Sequence, residues 1–173
     1  MFGIDSTTSL QLASRVVRNA LAVLVLTSVH HAYGAYIYDT PWRLNVLLVS
    51  GIAAVAIIGP LLVLRRRSEG VVGQTAFWAL SSVTLVFPIA IIGFFEGGYN
   101  HALKDALYFA GASPALMTTL FPPPTYELPN DIFFEVTGVL QLVLAITTTY
   151  HLYSLVRERL RTGTVRHRAS ATA

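Results

Sequence analysis

Residues 27–39 read TSVHHAYGAYIYD and place two adjacent histidines, His30 and His31, at the end of a long apolar run. An imidazole in a segment that is apolar enough to enter a membrane needs a partner that lipid cannot supply. Neighbouring helix positions point about 100° apart, so both rings face a bundle interior only where that interior is wide or polar. The stretch therefore predicts either two core histidines that are hydrogen-bonded to other protein groups, or two histidines that belong to a functional site.

The composition indicates whether the chain folds in water or in a membrane. The 173-residue chain has a mean hydropathy of +0.59 and only 12% charged residues, against about 25% in a typical soluble domain. This predicts an integral membrane protein. The basic residues stand at helix ends rather than on a soluble face, so we expect no nucleic-acid partner. The chain contains no cysteine, which excludes disulfides and thiolate metal sites.

Four apolar runs each approach the ~20 residues that are needed to cross ~30 Å of hydrocarbon. They cover residues 13–38, 44–64, 75–95 and 132–156. The predicted fold class is an all-α integral membrane protein, with a bundle of four transmembrane helices forming one domain over residues 1–156.

Two connecting segments and the tail complete the predicted architecture. The glycine pair at 97–98 predicts a break or bend at the end of the third run. A short extracytoplasmic amphipathic helix is expected over 102–110, followed by a proline-rich lid over 111–130. Residues 157–173 form a basic tail.

The basic residues predict the orientation of the bundle. If both termini and the turn between the second and third runs share one side, that side carries ten of the twelve lysines and arginines, and only Arg43 and Lys104 lie opposite. Because loops rich in arginine and lysine stay in the cytoplasm, this asymmetry predicts that both termini are cytoplasmic, in a plasma or inner membrane.

The acidic and imidazole groups of the bundle gather at one depth. With a rise of about 1.5 Å per residue, five of them fall in its outer half: His30, His31, Glu96, His101 and Glu135. Glu96 and Glu135 adjoin apolar residues, so each carboxylate needs a partner or a proton there. All five are the predicted metal ligands, and Glu96 and Glu135 are also the predicted catalytic groups.

Three other polar residues have simpler interpretations. Asp105 is interpreted as a surface charge, and Asp131 as a cap at the start of the fourth run. His151 lies about 24 Å from Glu135 along the helix axis, too far to join the same site, and is interpreted as an interfacial residue.

Imidazoles combined with carboxylates suit iron, zinc, copper or manganese, and facing helices of a four-helix bundle commonly build such sites. The chain has no Glu-x-x-His pair of the kind that di-iron bundles use. Haem, with His30 or His31 opposite His101, ranks below a divalent non-haem metal because the fourth run has no histidine at that depth.

The sequence favours a metal-dependent membrane enzyme that acts on a lipid-soluble substrate, with membrane lipid as its other partner. Three alternatives stay open. One is a metal-free, isomerase-like enzyme that uses the same groups for proton transfer. The others are an ion or proton transporter, which would require a homo-oligomer, and an accessory subunit of a larger membrane complex.

Overall fold

The computed structural model describes residues 6–123 and 125–171, with side chains over 8–123 and 125–162. All regular elements in these residues are helical. In chain order they are α1 (Ser6–Ile37), a 3₁₀ turn (Pro41–Leu44), α2 (Asn45–Arg66), α3 (Gly70–Thr84), a π-helical segment (Leu85–Leu103), α4 (Lys104–Phe109), α5 (Pro114–Leu120) and α6 (Ile132–Ala171).

Four helical stretches among the described residues are long and apolar enough to cross a membrane. They are Thr8–Ile37, Pro41–Arg66, Gly70–Phe109 and Ile132–Thr162. The prediction of an all-helical chain with four helices of spanning length is therefore confirmed. The last helix runs on into the predicted basic tail as far as Ala171, and residues 172–173 lie outside the described part of the chain.

The third stretch differs from its prediction. No break occurs at residues 97–98, and the helix expected over 102–110 is not separate: α3, the π segment and α4 form one continuous stretch, Gly70–Phe109. A π-helix closes its hydrogen bonds five residues apart instead of four. This wider turn carries Pro88 and the glycine pair without ending the helix. The predicted lid also contains regular structure, because α5 forms within it.

The ends of the bundle differ in character. We call the end where α1 stops and α6 begins the upper end, and the opposite end the lower end. An apolar core fills the lower half, where residues such as Val16, Ile57, Phe77 and Leu155 are almost completely buried. The buried polar side chains near the upper end include those of His30, His101, Lys104 and Glu135.

The outer surface of the bundle is strongly apolar. On α2, Leu48, Ile52, Val55 and Leu62 are all exposed, and they recur at the spacing of helical turns. A soluble protein would bury such residues and expose its charges. This chain does the reverse near its upper end, which is the pattern expected of a helix bundle whose outside meets lipid.

Candidate metal centre

Helix α1 presents both histidines to the interior because its buried stripe is two residues wide. Val16 with Val17 and Val23 with Leu24 are buried pairs, and the pair His30 with His31 follows at the same seven-residue spacing. Positions that recur every three or four residues share one face of an α-helix. The apolar lower part of the stripe therefore places the two rings inside the bundle at its upper end.

The π segment brings Glu96 and His101 to the same place. Five residues correspond to about 140° around an ordinary α-helix, which would point these side chains in different directions. In the π segment, the buried positions Ile92, Gly97 and His101 instead recur every four to five residues. Glu96 and His101 consequently both face α1 and α6, and π-helical turns are frequent at functional sites.

Three imidazole nitrogens surround one carboxylate oxygen. Glu96 Oε1 lies 3.8 Å from His30 Nε2, 3.6 Å from His31 Nε2 and 3.7 Å from His101 Nε2. These distances exceed the roughly 2.7–3.2 Å that is usual for a hydrogen bond. The other oxygen, Glu96 Oε2, accepts a hydrogen bond from Asn100 Nδ2 at 2.7 Å, which fixes the carboxylate.

The neighbours of His30 favour the tautomer in which Nδ1 carries the proton. Thr137 Oγ1 donates to the Phe133 carbonyl at 2.7 Å, with the Phe134 carbonyl at 3.0 Å. Its proton is therefore used, so it accepts from His30 Nδ1 at 3.0 Å. A neutral imidazole with its proton on Nδ1 offers a lone pair on Nε2. His30 Nε2 is buried and makes no hydrogen bond to any described residue.

His101 is held in the same way by a carboxylate. Its Nδ1 donates to Glu135 Oε2 at 2.6 Å, because an ionised carboxylate only accepts. Glu135 Oε1 accepts from Lys104 Nζ at 3.0 Å. This leaves Nε2 of His101 to face Glu96, and a carboxylate that holds the distal nitrogen of a histidine is a recurrent feature of metal sites.

A glycine on α6 makes room for the His101 ring. A Cβ atom on Gly138 would overlap the ring atoms of His101, so only glycine fits at this position. Phe134, one turn earlier, stacks on His30 with ring centroids 4.1 Å apart. Together these two residues of α6 fix the planes of the two rings.

The three ligand atoms are close enough to hold a metal ion if they draw together around it. His30, Glu96 and His101 each offer one ligand atom, and all three atoms lie within 4.8 Å of one another. Ligand atoms about 2.0–2.1 Å from a tetrahedral ion are about 3.3 Å apart. The separations from Glu96, 3.8 and 3.7 Å, need to shrink by a few tenths of an ångström. The two histidine nitrogens, which lie within 4.8 Å of each other, need to approach by up to about 1.5 Å. His31 Nε2 approaches Glu96 from outside this trio.

Segments at the upper end cover the centre. Lys104 Nζ donates to the Glu127 carbonyl at 2.8 Å, and Arg43 lies 3.9 Å from the Glu127 carboxylate. Tyr99 donates from its hydroxyl to the Leu120 carbonyl at 2.8 Å. Burial raises the pKa of Tyr126, in the same segment, above its ordinary value. The predicted lid is thus anchored to the helices by several polar contacts.

The structure brings four of the five predicted ligands, His30, His31, Glu96 and His101, around one point. The fifth, Glu135, does not face this point. It accepts a hydrogen bond from Nδ1 of His101, the ring nitrogen that is not beside Glu96. Outside the predicted set, Asp131 accepts from the Phe134 N–H and from the Tyr33 hydroxyl at the start of α6. His151 packs on Tyr150 in the lower half.

Sequence reasoning did not identify three of the polar residues around the centre. Lys104 is 2% exposed, although the sequence places it only in a short amphipathic helix outside the membrane. Thr137 gave no signal, because a threonine in an apolar helix is common. Gln141 is completely buried, and neither of its amide atoms has a hydrogen-bond partner among the described residues. Only its position one turn from Thr137 hints at a link with the centre.

Comparisons of the chain with protein-family models, with curated proteins and with solved structures found no match.

Proposed function

We propose that the chain is an integral membrane protein that binds a divalent metal ion through His30, Glu96 and His101 and uses it to act on a lipid-soluble substrate. One observation carries the proposal. The Nε2 atoms of His30 and His101 lie 3.8 and 3.7 Å from one oxygen of Glu96, and the Nδ1 atom of each ring already has a hydrogen-bond partner on α6. With both rings neutral and their protons on Nδ1, two nitrogen lone pairs and one carboxylate oxygen would face one another, and a divalent cation among them would remove their repulsion.

The surrounding groups favour a metal over a network of hydrogen bonds. The distances from Glu96 Oε1 to the three Nε2 atoms, 3.6–3.8 Å, are too long for direct hydrogen bonds. Two imidazoles and one carboxylate are the ligand set of several zinc hydrolases and of non-haem iron oxygenases. We keep iron, zinc, copper and manganese as candidates.

Haem remains the weaker alternative. The rings of His30 and His101 have centroids 4.7 Å apart and stand nearly perpendicular to each other. Two axial ligands would have to lie on opposite faces of a macrocycle, and rings this close leave no room for one between them.

Membrane insertion and orientation belong to the same proposal. The lipid-facing character of α2 and the four stretches of spanning length support insertion. The ten-to-two distribution of basic residues supports an orientation with both termini in the cytoplasm. The upper end then faces outwards, so the metal centre lies in the outer half of the bundle.

The proposed chemistry is that of a metal with open coordination positions. Three protein ligands leave at least one position for water or substrate, as in catalytic zinc sites. There the ion would activate water or oxygen, or polarise a substrate group. His31 stands beside the trio, where its Nε2 could bind or release a proton near the reacting group.

A metal-free enzyme is the second candidate, and one contact favours it. His101 bonds Glu135 at 2.6 Å, and its other nitrogen lies 3.7 Å from Glu96. A small approach of Glu96, or one bridging water, would complete a path for proton transfer between the two carboxylates. The other two alternatives have less support. Among the described residues, no charged side chain is buried in the lower half, so a transporter would lack charged groups along its path.

Metal analysis tests the proposal directly. The protein is purified in detergent, treated with a chelator, reloaded with Zn²⁺ or Fe²⁺ and freed of excess metal before elemental analysis. We expect one ion per chain in the wild type, none in the double variant His30→Ala with His101→Ala, and an unchanged content in His151→Ala. Stoichiometric metal in the double variant, or none in the wild type, would reject the metal site and leave the metal-free enzyme.

A further inference from the structure

Two completely buried polar side chains, Thr27 on α1 and Gln141 on α6, lie one turn below the trio of ligand atoms. Neither Oγ1 of Thr27 nor either amide atom of Gln141 makes a hydrogen bond to a described residue. Buried polar atoms without a partner are rare in folded proteins, because their desolvation is not compensated. These three atoms therefore call for a ligand.

The packing of α1 on α6 places Thr27 and Gln141 at the same level. The two helices run antiparallel, because α1 ends where α6 begins, and they meet where His30 Nδ1 contacts Thr137 Oγ1 at 3.0 Å. Thr27 precedes His30 by three residues, and Gln141 follows Thr137 by four. Positions three or four residues apart share one helix face. Both side chains therefore lie on the faces that α1 and α6 turn towards each other, one turn below this contact.

The π segment closes the third side of the same space. A Cβ atom on Gly97, the residue after Glu96, would lie 3.2 Å from Cβ of Gln141 and 2.6 Å from the backbone nitrogen of Leu142. The π segment therefore packs closely on α6 at this level. Side chains of a helix lean towards its N-terminal end, and α6 begins at the upper end, so Gln141 leans towards the trio.

The hydroxyl of Thr27 differs from those of Thr148 and Ser81, which are also buried in the bundle. Thr148 donates to the Leu144 carbonyl at 2.7 Å, and Ser81 donates to the Phe77 carbonyl at 2.9 Å. Such bonds to the preceding turn are the usual way to satisfy a hydroxyl in an apolar helix. Thr27 makes no such bond among the described residues, so its hydroxyl is available to a ligand.

A ligand that satisfies this set of atoms both donates and accepts hydrogen bonds. Gln141 offers two protons on Nε2 and an acceptor on Oε1, and the Thr27 hydroxyl does both. His30 Nε2, which is also buried without a partner, accepts when the proton is on Nδ1. Buried water typically makes about three hydrogen bonds to groups of this kind. An ammonium group only donates and a carboxylate only accepts, so water fits best.

We propose that Thr27 and Gln141 bind an internal water molecule on the inner side of the trio, next to Nε2 of His30. The inference rests on the proposed function for the metal, and it deepens that function by naming water as the molecule held beside the open coordination position. The water site itself does not require the ion. Without it, the water donates to His30 Nε2.

Radiolytic labelling tests the proposal, because a short X-ray pulse forms hydroxyl radicals from bound water and these oxidise the side chains beside it. The full chain is treated with a chelator, placed in lipid nanodiscs and irradiated, and mass spectrometry measures oxidation at each residue. We expect oxidation at His30 and at Leu24, which lie one turn to either side of Thr27 and are both buried. Phe77, which is 1% exposed in the apolar core, should stay unmodified.

The variants make the test specific. Thr27→Val with Gln141→Met removes every polar side-chain atom that these two residues contribute while roughly keeping their size. We expect oxidation of Leu24 and His30 to fall to the level of Phe77. The matched control Thr148→Val also changes a completely buried threonine, but one whose hydroxyl bonds its own helix, and should behave as the wild type. Unmodified Leu24 and His30 in the wild type, or undiminished oxidation in the double variant, would overturn the proposal.

Thermal melts provide an independent measurement. If water pairs with Gln141, then Gln141→Met leaves Thr27 and the water with fewer partners, and the melting temperature should fall by about 3 °C. If the amide were unpaired in the folded protein, the same change would remove a buried unsatisfied group and raise the melting temperature. A higher melting temperature in Gln141→Met would therefore contradict the water site.

Metal content, measured on reloaded samples of the same variants, separates the two proposals. Thr27→Val and Gln141→Met should keep the wild-type metal content, because neither residue is a proposed ligand. If metal is bound but Leu24 and His30 are not oxidised, the water site fails and the metal centre stands. If both residues are oxidised and no metal is bound, the water site stands and the metal centre fails.

Discussion

Replacing Glu135 by glutamine tests whether this carboxylate holds His101 for the metal. The change keeps the shape of the side chain but removes the charge that accepts from His101 Nδ1 at 2.6 Å and from Lys104 Nζ at 3.0 Å. Loss of a partner that orients a metal-binding histidine typically costs about 10–100-fold in metal affinity, or roughly 1.4–2.7 kcal/mol. We expect the upper part of this range, because the glutamine amide could also turn its N–H₂ towards the ring.

The same variant leaves Lys104 without its closest counter-charge, and a buried charge that loses its partner can cost about 3–5 kcal/mol of stability. The double variant Lys104→Met with Glu135→Gln removes both charges and separates the two effects. We expect it to recover thermal stability but not metal affinity. Competition with a calibrated chelator measures affinity on folded protein, and Glu127→Gln, whose carboxylate pairs with Arg43, serves as the matched control. Wild-type affinity in Glu135→Gln, or full recovery in the double variant, would refute the positioning role of Glu135.

Two further predictions concern packing and orientation. Gly138→Ala should lower metal content or prevent correct folding, because the added methyl overlaps the His101 ring, whereas Gly59→Ala, with no atom nearby, should behave as the wild type in the same metal assay and in thermal melts. For orientation, single cysteines are introduced into this cysteine-free chain. A membrane-impermeant maleimide should label Thr125→Cys but not Ser170→Cys in intact cells. The opposite pattern would show that the bundle has the opposite orientation in the membrane.

The helices were predictable because their signal is strong and local. Four long apolar runs separated by arginines or turn residues leave few alternatives to four long helices. The gathering of His30, Glu96 and His101 at one depth also follows from counting residues along helices. Their contact was harder to foresee, because it depends on the π segment. With ordinary helical geometry, Glu96 and His101 do not share a face.

Other parts of the site depend on contacts between segments that are distant in the chain. Such contacts leave no periodic pattern in the sequence. Lys104 is buried only because Glu135 and the Glu127 carbonyl converge on it from segments distant in sequence. The need for glycine at 138 comes from a ring on another helix. Glu135 was predicted to be a ligand because of its depth, but depth alone does not reveal that both of its oxygens bond protein groups, His101 and Lys104.

X-ray absorption at the metal edge of Zn²⁺-loaded protein tests the metal centre most directly, since it reports the ligand atoms themselves. The proposed centre predicts a shell of only nitrogen and oxygen at about 2.0–2.1 Å, with the outer-shell scattering of at least two imidazoles. That imidazole scattering should fall in His101→Ala and stay unchanged in His151→Ala. A shell of oxygen atoms without imidazole scattering in the wild type would contradict a metal centre built from His30, Glu96 and His101.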